Sequence, residues 1–202
     1  MPSETVPPFA DDLAASLAYA MVLLGKAASD RRSPMHTPSA ATLGLDGRPR
    51  NRIVVLRHFD PDLRAFRFHT DIRSDKFKEL GQDARISMLF YDPAEKIQLR
   101  AEGIAERHIS DRIADEAWAS SQAMSRHCYA THPSPGSLIA AGGDFTLPKG
   151  RELSDEGRIH FSAIAVTFHH LEWLWLGSDG HRRAHFSWVN DETDPEMGWL
   201  VP

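Results

Sequence analysis

The spacing of apolar and polar positions divides the chain into one N-terminal helix followed mainly by short strands. Residues 13–24 place apolar side chains at helical spacing behind a capping Asp11 or Asp12, and Gly25 is expected to end that helix. From residue 40 onward the apolar runs are shorter, and turn residues separate them at hairpin distances. The predicted strands cover residues 40–45, 52–58, 65–70, 86–91, 97–107, 159–168, 171–176 and 183–189, with short helices over 74–80, ended by Gly81, and after a capping Ser110.

The order of these elements favours an antiparallel β-barrel with added helices. Strands and helices do not alternate in the βαβ rhythm of a parallel sheet, and no internal repeat divides the chain. We therefore predict one mainly β domain over residues 1–202, in which residues 1–38 form the N-terminal helix and loop. Residues 142–157 are expected to form a mobile surface loop.

Composition narrows the classes of function. The 202 residues are 42% hydrophobic and 25% charged, with a formal net charge of -5 and a pI of about 6.1. This acidic balance argues against nucleic-acid binding, and no apolar run is long enough to cross a membrane. The single cysteine allows no internal disulfide, and the N-terminus lacks the basic start of a secretory signal. We therefore predict a cytoplasmic protein that acts on a small molecule.

A group of cationic and hydroxyl side chains lies where two predicted strands meet a short helix. Arg52 and Arg57 close the two ends of an Ile-Val-Val-Leu run, where charge is normally avoided. Thr70 ends the next strand, and Ser74 caps a helix that contains Lys76. Helix N-termini and charged donors both attract phosphate, so the group predicts a phosphate site if the two strands are hairpin neighbours. The alternative is a pair of surface arginines and an ordinary helix cap.

Two further features leave a binding role open. Gln98 lies in the middle of an alternating strand, where its amide either pairs with backbone or binds the polar edge of a planar heterocycle. Trp173 and Trp175 share one face of a strand and either pack in the core or form a wall for a flat ligand, with Arg182 or Arg183 near its charge. No metal site is predicted, because adjacent histidines on a strand point to opposite faces and no third ligand has a suitable spacing.

Taken in order, these motifs resemble those of the pyridoxamine 5′-phosphate oxidase family, whose fold is the FMN-binding split barrel. Arg-Ile-Val-Val-Leu-Arg at 52–57 is similar to the family's Arg-x-Val-Leu-Leu-Lys/Arg, and Phe-His-Thr-Asp at 68–71 is similar to its Phe-Tyr-Thr-Asn. Ser-Asp-Lys at 74–76 falls on Ser-Arg-Lys, and Lys-Ile-Gln-Leu-Arg at 96–100 falls on an Arg-Gln-Val motif. Leu-Glu-Trp at 171–173 resembles Ile-Glu-Phe-Trp, and the final Leu-Val-Pro resembles the closing Leu-x-Pro.

The resemblance implies a homodimeric, antiparallel split barrel that binds FMN in clefts between the subunits. It assigns the FMN phosphate to Arg52, Ser74 and Lys76, and the polar edge of the flavin ring to Gln98. The backbone over 54–57 would run along the isoalloxazine ring. The full set of predicted FMN contacts is Arg52, Val54, Val55, Leu56, Arg57, His69, Thr70, Ser74, Lys76, Gln98 and Arg183.

The chain departs from the family pattern on the substrate side. The closing Arg-x-His-Asp-Arg aligns either through Arg183, which keeps His185 as the substrate histidine, or through Arg182, which replaces it by Ala184. No arginine falls four residues before Ser125, where the family has one. The predicted substrate contacts are Ser125, Arg126, Tyr129 and Arg182, and the candidate catalytic residues are Arg57 and His185.

Two cofactor-side positions also differ from the family, since its tyrosine is His69 and the middle residue of Ser-Arg-Lys is Asp75. FMN binding with two-electron oxidation or reduction of a small molecule is the function that the motifs indicate. An NAD(P)H-dependent flavin reductase-like enzyme and a non-catalytic flavin- or ligand-binding module are the alternatives. The predicted partners are a second copy of the chain and a small-molecule substrate, with no nucleic acid and no membrane.

Overall fold

The computed structural model describes residues 6–147, 155–189 and 194–202. The strands in these ranges are β1 (Ser39–Leu43), β2 (Pro49–Ile53), β3 (Leu56–Asp60), β4 (Ala65–Asp71), β5 (Arg85–Asp92), β6 (Ile97–His108), β7 (Phe161–Trp175), β8 (Arg182–Ser187) and β9 (Glu196–Leu200). The α-helices are α1 (Leu13–Ser29), α2 (Asp75–Gln82), α3 (Arg112–Ser120) and α4 (Ala123–His127), and 3-10 helices cover Pro34–His36, Cys128–Ala130 and Asp155–His160. The loop predicted over 142–157 lies partly outside the described residues, at 148–154.

The strands form one antiparallel sheet that curls around a core. Its order is β2-β1-β5-β6-β7-β4-β3, and β8 and β9 continue from β7. Phe66 on β4 and Phe90 on β5 have ring centroids 5.1 Å apart, although two strands separate them in the sheet, so the sheet folds back on itself. The antiparallel, mainly β prediction is confirmed. The sheet does not close, because within the described residues β2 and β3 have no ladder with each other.

Residues 52–58 do not form one strand, as predicted, but join the two edges of the sheet. β2 ends at Ile53 and pairs with β1, whereas β3 begins at Leu56 and pairs with β4. Val54 and Val55 form the junction, and the buried Val54 donates its N–H to a carbonyl outside either strand at 3.0 Å. The prediction failed because the apolar run contains no Gly or Pro, and the break is set by packing against the rest of the barrel.

β7 corrects the prediction of separate strands over 159–168 and 171–176. Phe161–Trp175 forms one strand, and a bulge places His169 as an extra residue opposite β6. Gly103 of β6 lies at this bulge, where an added Cβ would be 2.2 Å from the carbonyl oxygen of Thr167. The bulge therefore accommodates the two histidines that interrupt the apolar pattern, and it requires glycine on the neighbouring strand.

The helices begin at capping side chains. Asp12 caps α1 by accepting the N–H of Ala15 at 2.7 Å, which selects one of the two predicted caps. Ser74 caps α2 as predicted. Asp111 caps α3, so the predicted cap at Ser110 was wrong by one residue.

Gly25 and Gly81 lie inside their helices, so the predicted ends there were wrong. α1 continues to Ser29 and α2 to Gln82, because packing of the later turn outweighs the low helix propensity of one glycine. Ala27, for example, is fully buried after Gly25. None of the helices in the described parts of the chain is both long and apolar enough to cross a membrane.

The inner face of the sheet holds the main core, and α1 packs against β3 and β7. Trp173 and Trp175 are 0% and 3% exposed, so of the two interpretations offered for them the structure supports core packing. A smaller cluster on the outer face of β7 joins it to α3 and contains Ala117, Trp118, Phe161 and Ala163. β7 thus has apolar packing on both faces. Its successive side chains point alternately to the barrel interior and to the α3 side.

Candidate functional site

Arg52 lies at the rim of the barrel next to α2, where a buried carboxylate balances its charge. Its guanidinium donates to Oε2 of Glu79 at 2.6 Å and also to the hydroxyl of Thr42. The Thr42 hydroxyl donates to the same Oε2 at 2.6 Å. The side chains of Glu79 and Arg52 are 4% and 25% exposed, so the carboxylate is the desolvated partner. This network fixes the orientation of Arg52 before any ligand binds.

A cavity of about 500 Å³ adjoins one side of this ion pair. Its lining is rich in charged side chains and consists of Leu45, Asp46, Arg50, Arg52, Asp75 and Glu79. Three of these six residues are carboxylates, which repel an anion at this side of Arg52. An anion is therefore better accommodated on the side where Lys76 lies.

Lys76 carries a half-buried positive charge close to Arg52. Burial and the guanidinium of Arg52 together lower the pKa of Lys76 to about 8, against the opposing effect of Glu79. Its ammonium lies 5.4 Å from the centroid of the Phe68 ring. In the described chain no carboxylate forms an ion pair with Lys76, so its charge is available to a ligand.

Thr70 and Ser74 place two hydroxyls at the start of α2. Their oxygens are 3.1 Å apart, and the Ser74 hydroxyl donates to the carbonyl of Asp71 at 2.7 Å. Ser74 also caps α2 through the N–H of Phe77. In the sequence, Thr70 lies near the end of β4 and Ser74 caps α2, and Lys76 follows in the first turn of that helix. The structure thus brings Arg52, Thr70, Ser74 and Lys76 into one region of the barrel rim.

These residues fit a phosphate group. Two cations, two hydroxyls and a helix N-terminus are the donor set that phosphate monoesters accept. The depressed pKa of Lys76 is the physical sign of positive charge held without enough compensation. Asp75 stands where the family motif has an arginine, and it weakens this set of phosphate donors because its carboxylate lines the cavity beside Arg52.

A second cavity, of about 240 Å³, lies by the other face of β4, and we call it the arginine pocket. Its lining combines basic and hydroxyl side chains and consists of Ala28, Ser29, Arg31, His36, Leu56, Arg57, Arg67, His69, Ser120, Ser121 and Gln122. None of these is a carboxylate. Within the described residues Arg57 and Arg67 form no ion pair, and Nε of Arg67 is buried without a hydrogen-bond partner. The pocket therefore favours an anionic ligand.

His69 is the neutral polar group of the arginine pocket. Burial, together with the charges of Arg57 and Arg67, lowers the pKa of His69 to about 3. Its Nε2 is buried without a partner, and its Nδ1 is 3.5 Å from the Ser121 hydroxyl. The ring packs edge-on against Phe161 at 4.8 Å. His69 is thus uncharged over the physiological range and can exchange a hydrogen bond with a ligand.

The predicted substrate residues have different surroundings. Arg126 donates to the carbonyl of Ala119 at 2.8 Å and lies over the Trp118 ring, so its guanidinium faces the protein. Arg182 pairs with Asp11 at 2.6 Å, away from both cavities. The other two, Ser125 and Tyr129, are half-buried in the segment that follows α3.

Tyr129 is the one of these four that the structure connects to the arginine pocket. Burial raises the pKa of Tyr129, and the charge of Arg57 acts in the opposite direction, which shows that the two groups are near each other. Its ring packs against Phe161 at 5.1 Å and Trp118 at 6.0 Å.

Gln98 and Arg183 lie on the outer face of the sheet, opposite to the side chain of Arg52. They occupy one row across the strands, Gln98 beside Leu174 and Leu174 beside Arg183. Arg183 binds the buried Glu172 at 3.0 Å, which Arg100 also binds at 2.8 Å. Within one chain these two predicted FMN contacts are therefore separated from the phosphate-binding group by the sheet.

His185 lies on the same outer face. Its ring is stacked with that of His170, with centroids 6.1 Å apart, and it covers the backbone of Gly198. The other predicted catalytic residue, Arg57, lines the arginine pocket, so one chain does not bring the two together.

Two functional candidates, Glu79 and Arg67, were not predicted from the sequence. Glu79 was missed because a glutamate inside a polar helix is ordinarily exposed, and only the tertiary fold turns it inward. Arg67 was missed, although strand alternation places it on the same face as His69, and that periodicity was the available signal.

Comparison with known proteins defines the class to which this site belongs. Residues 18–108 match the family model described as pyridoxamine 5′-phosphate oxidase, FMN-binding domain. Pyridoxine/pyridoxamine 5′-phosphate oxidase from Dichelobacter nodosus is 29% identical over 168 residues, which are 80% of this chain and 74% of that protein. Pyridoxine/pyridoxamine 5′-phosphate oxidase 1 from Hydrogenovibrio crunogenus is 38% identical over 69 residues, which are 34% and 31% of the two chains. The match thus spans less than a third of the second relative.

Solved structures share the fold. A pyridoxamine 5′-phosphate oxidase-related, FMN-binding protein from Nostoc punctiforme has a TM-score of 0.71 and 22% identity, covering 98% of this chain and all (100%) of that one. PhzG from Burkholderia lata, solved in complex with tetrahydrophenazine-1-carboxylic acid, has a TM-score of 0.70 and 22% identity, covering 100% of both chains. These two structures show a shared fold, and the match of residues 18–108 to the family model agrees with the resemblance stated from the motifs.

The Arg52–Glu79 pair gives a prediction for stability. Arg52→Ala is expected to destabilise the FMN-free protein by about 3 kcal/mol, because it leaves a buried carboxylate without its cation. The double variant Arg52→Ala/Glu79→Gln should recover most of that loss, since a neutral amide can still bond to Thr42. Chemical denaturation measures the free energy of unfolding of the single and the double variant. Arg50→Ala is the control, because its pair with Asp46 is exposed, at 47% and 43%, and should contribute about 0.5 kcal/mol or less. Equal losses in the single and double variants would contradict the prediction.

Proposed function

We propose that the chain is an FMN-dependent oxidoreductase that acts on a small anionic substrate. The observation that carries this proposal is the half-buried, uncompensated Lys76 beside Arg52 and the hydroxyls of Thr70 and Ser74. That donor set suits a phosphate monoester, and the matching family model is an FMN-binding domain. Bound FMN would supply two-electron redox chemistry.

The protein's own groups would bind and orient the cofactor. Arg52, held by Glu79, and Lys76 would take the phosphate, and the hydroxyls of Thr70 and Ser74 would rotate from their present partners to donate to it. The junction between β2 and β3 leaves two free strand edges, and unpaired backbone groups at an edge can bond to the polar rim of a flat ring. Val54, Val55, Leu56 and Arg57 lead from these edges to the arginine pocket.

The arginine pocket is the proposed site for the substrate's anionic group. Its guanidinium groups from Arg57 and Arg67 would pair with a carboxylate or phosphate, and neutral His69 would add one hydrogen bond. Burial of that ion pair would exclude water from the reacting group. A charge held in this way orients the rest of the substrate, which is the main contribution that a protein makes to flavin chemistry.

We further propose that the chain acts as a homodimer through the outer face of its sheet. Ile53, Leu89 and Tyr91 are 63%, 39% and 44% exposed and share this face with Gln98 and Arg183. An apolar surface of this kind favours association. Pairing through this face would bring Gln98 and Arg183 of one copy toward the cofactor of the other, which they do not reach within their own chain.

FMN affinity is expected to fall as the pH rises through about 8, the pKa of Lys76 in the free protein. Protonated Lys76 attracts the phosphate, so the affinity is full below that pKa and is lost as the ammonium deprotonates above it. The bound phosphate raises the pKa of Lys76, so the decline is gradual. Quenching of FMN fluorescence measures the dissociation constant at each pH.

The variants Lys76→Arg and Lys76→Met test whether deprotonation of Lys76 causes the alkaline loss of FMN affinity. The arginine variant should keep the affinity at neutral pH and lose its alkaline decline, because a guanidinium stays protonated. The methionine variant should bind FMN more weakly by about 1.5–3 kcal/mol, a factor of about ten to a hundred, and also lose the decline. An unchanged affinity in Lys76→Met would refute the phosphate assignment.

Pyridoxamine 5′-phosphate is expected to reduce the FMN-loaded protein under anaerobic conditions at least about tenfold faster than pyridoxamine, which lacks the phosphate. The pyridine ring is the same in both donors, so the ratio of the two reduction rates reports on the site that binds the phosphate. Loss of flavin absorption in a stopped-flow instrument measures the rates, and Arg57→Met should reduce the ratio toward one. Reduction by NADPH alone would replace the proposal with the flavin reductase alternative. No reduction by either donor would favour a non-catalytic binding module.

The double variant Ile53→Asp/Leu89→Asp is expected to be monomeric, because it buries two carboxylates in the proposed interface. Sedimentation velocity measures the change against a dimeric parent. Val22→Asp is the matched control, since Val22 on α1 is 63% exposed like Ile53 but lies outside the sheet face. A monomeric parent, or a dimer that survives the double substitution, would exclude this interface.

A further inference from the structure

Four Asp-x-Arg sequences in the chain share one local hydrogen bond and differ in burial. In each, the backbone N–H of the arginine donates to Oδ1 of the aspartate two residues earlier, at 2.9 Å for Arg32, 3.1 Å for Arg48, 2.8 Å for Arg73 and 3.0 Å for Arg85. The arginine side chains are 93%, 80%, 16% and 77% exposed in the same order. Arg73 is therefore the buried one of the four.

Arg73 uses its guanidinium to join two distant parts of the chain. It forms a bidentate pair with Asp71 at 2.9 and 2.7 Å, and that carboxylate is 8% exposed. Its other N–H groups donate to the carbonyl oxygens of Thr131 at 3.0 Å and Tyr129 at 3.1 Å. Such long-range bonds to backbone fix a segment that has little regular structure of its own.

The two ends of this connection belong to the two proposed ligand sites. On one side, the carbonyl of Asp71 accepts the hydroxyl of Ser74 at 2.7 Å, in the turn that precedes α2. On the other side, the Tyr129 ring packs against Phe161 at 5.1 Å, and Phe161 packs against His69 of the arginine pocket at 4.8 Å. Arg73 therefore joins the turn before α2 to the aromatic side chains packed behind the arginine pocket.

Sequence position alone suggests a different role for Arg73. It directly precedes Ser74, and an arginine next to a phosphate-binding serine reads as a phosphate ligand. In the structure its guanidinium is turned away, because Asp71 and the two carbonyl oxygens take its donors.

We infer that Arg73 is a positioning residue that fixes Tyr129–Thr131 and thereby the aromatic packing behind His69 of the substrate pocket, and that it is not a ligand of the cofactor phosphate. This inference rests on the proposed function, since it assigns the arginine pocket to the substrate. It adds a residue that acts through backbone carbonyls and touches neither ligand.

The test uses the FMN-loaded protein and pyridoxal 5′-phosphate as the anionic probe, with binding measured by calorimetry. Arg73→Lys keeps a positive charge beside Asp71 but cannot reach both carbonyl oxygens with a planar fork. It is expected to weaken binding of the probe about tenfold and to change the FMN dissociation constant by less than about twofold. Arg85→Lys, in the matched exposed pair, should change neither constant. Ethylguanidinium added to Arg73→Ala should partly restore binding of the probe.

A spectroscopic measurement extends the test beyond ligand binding. Ultraviolet difference titration follows the three tyrosines of the chain, of which Tyr129 has a pKa raised by burial. Arg73→Ala should release that ring and bring its ionisation to lower pH, whereas Arg85→Ala should not.

Different outcomes overturn different statements. An FMN dissociation constant that rises in Arg73→Lys as much as in Lys76→Met would make Arg73 a phosphate ligand and refute the inference. Unchanged probe binding and an unchanged tyrosine titration in Arg73→Ala, with circular dichroism showing a folded chain, would also refute it. If the parent protein binds no FMN, the proposed function fails instead. The tyrosine titration then still tests whether Arg73 holds Tyr129 in its buried position.

Discussion

The junction at Val54 and Val55 is the constraint on which the candidate site depends. It assigns one apolar run to both edges of the sheet, so that β2 and β3 are consecutive in sequence and unpaired in space. Arg52 therefore faces α2 at the barrel rim, while Arg57 faces the α3 side. A continuous strand would have closed the sheet and removed both the free edges and the separation of the two cationic groups.

The basic residues around this junction fall into two physical kinds. Arg52 and Arg73 are each paired with a buried carboxylate, and they serve to hold structure in place. Lys76, Arg57 and Arg67 are partly buried without such a partner, which costs stability in the free protein. A fold retains such uncompensated charge where a ligand supplies the missing opposite charge. Arg52 is held by its carboxylate and is also a proposed phosphate contact, whereas Arg73 only holds structure in place.

Local pattern was enough to predict most of the fold but not the positions of the charged groups. The alternation of Ile97, Leu99 and Ala101 identified β6, and the serine cap at Ser74 identified α2, because these signals lie within a few residues of each other. The break within 52–58 and the continuity of β7 depend on contacts between distant segments, which periodicity does not contain. The same limit applies to Glu79, whose inward orientation follows from the docking of α2 on β1 and β6.

The two halves of the candidate site relate differently to the family. The proposed phosphate-binding group has an arginine, a serine and a lysine where the motifs resemble those of the family, and the structure brings them together at the rim. The substrate side instead presents Arg57, Arg67 and neutral His69, while Arg126 and Arg182 are engaged by the protein itself. The charge of a pocket restricts the ligands that it can bind, and the lining of the arginine pocket is basic and contains no carboxylate. That lining is therefore a better guide to a ligand of this chain than the names of its relatives.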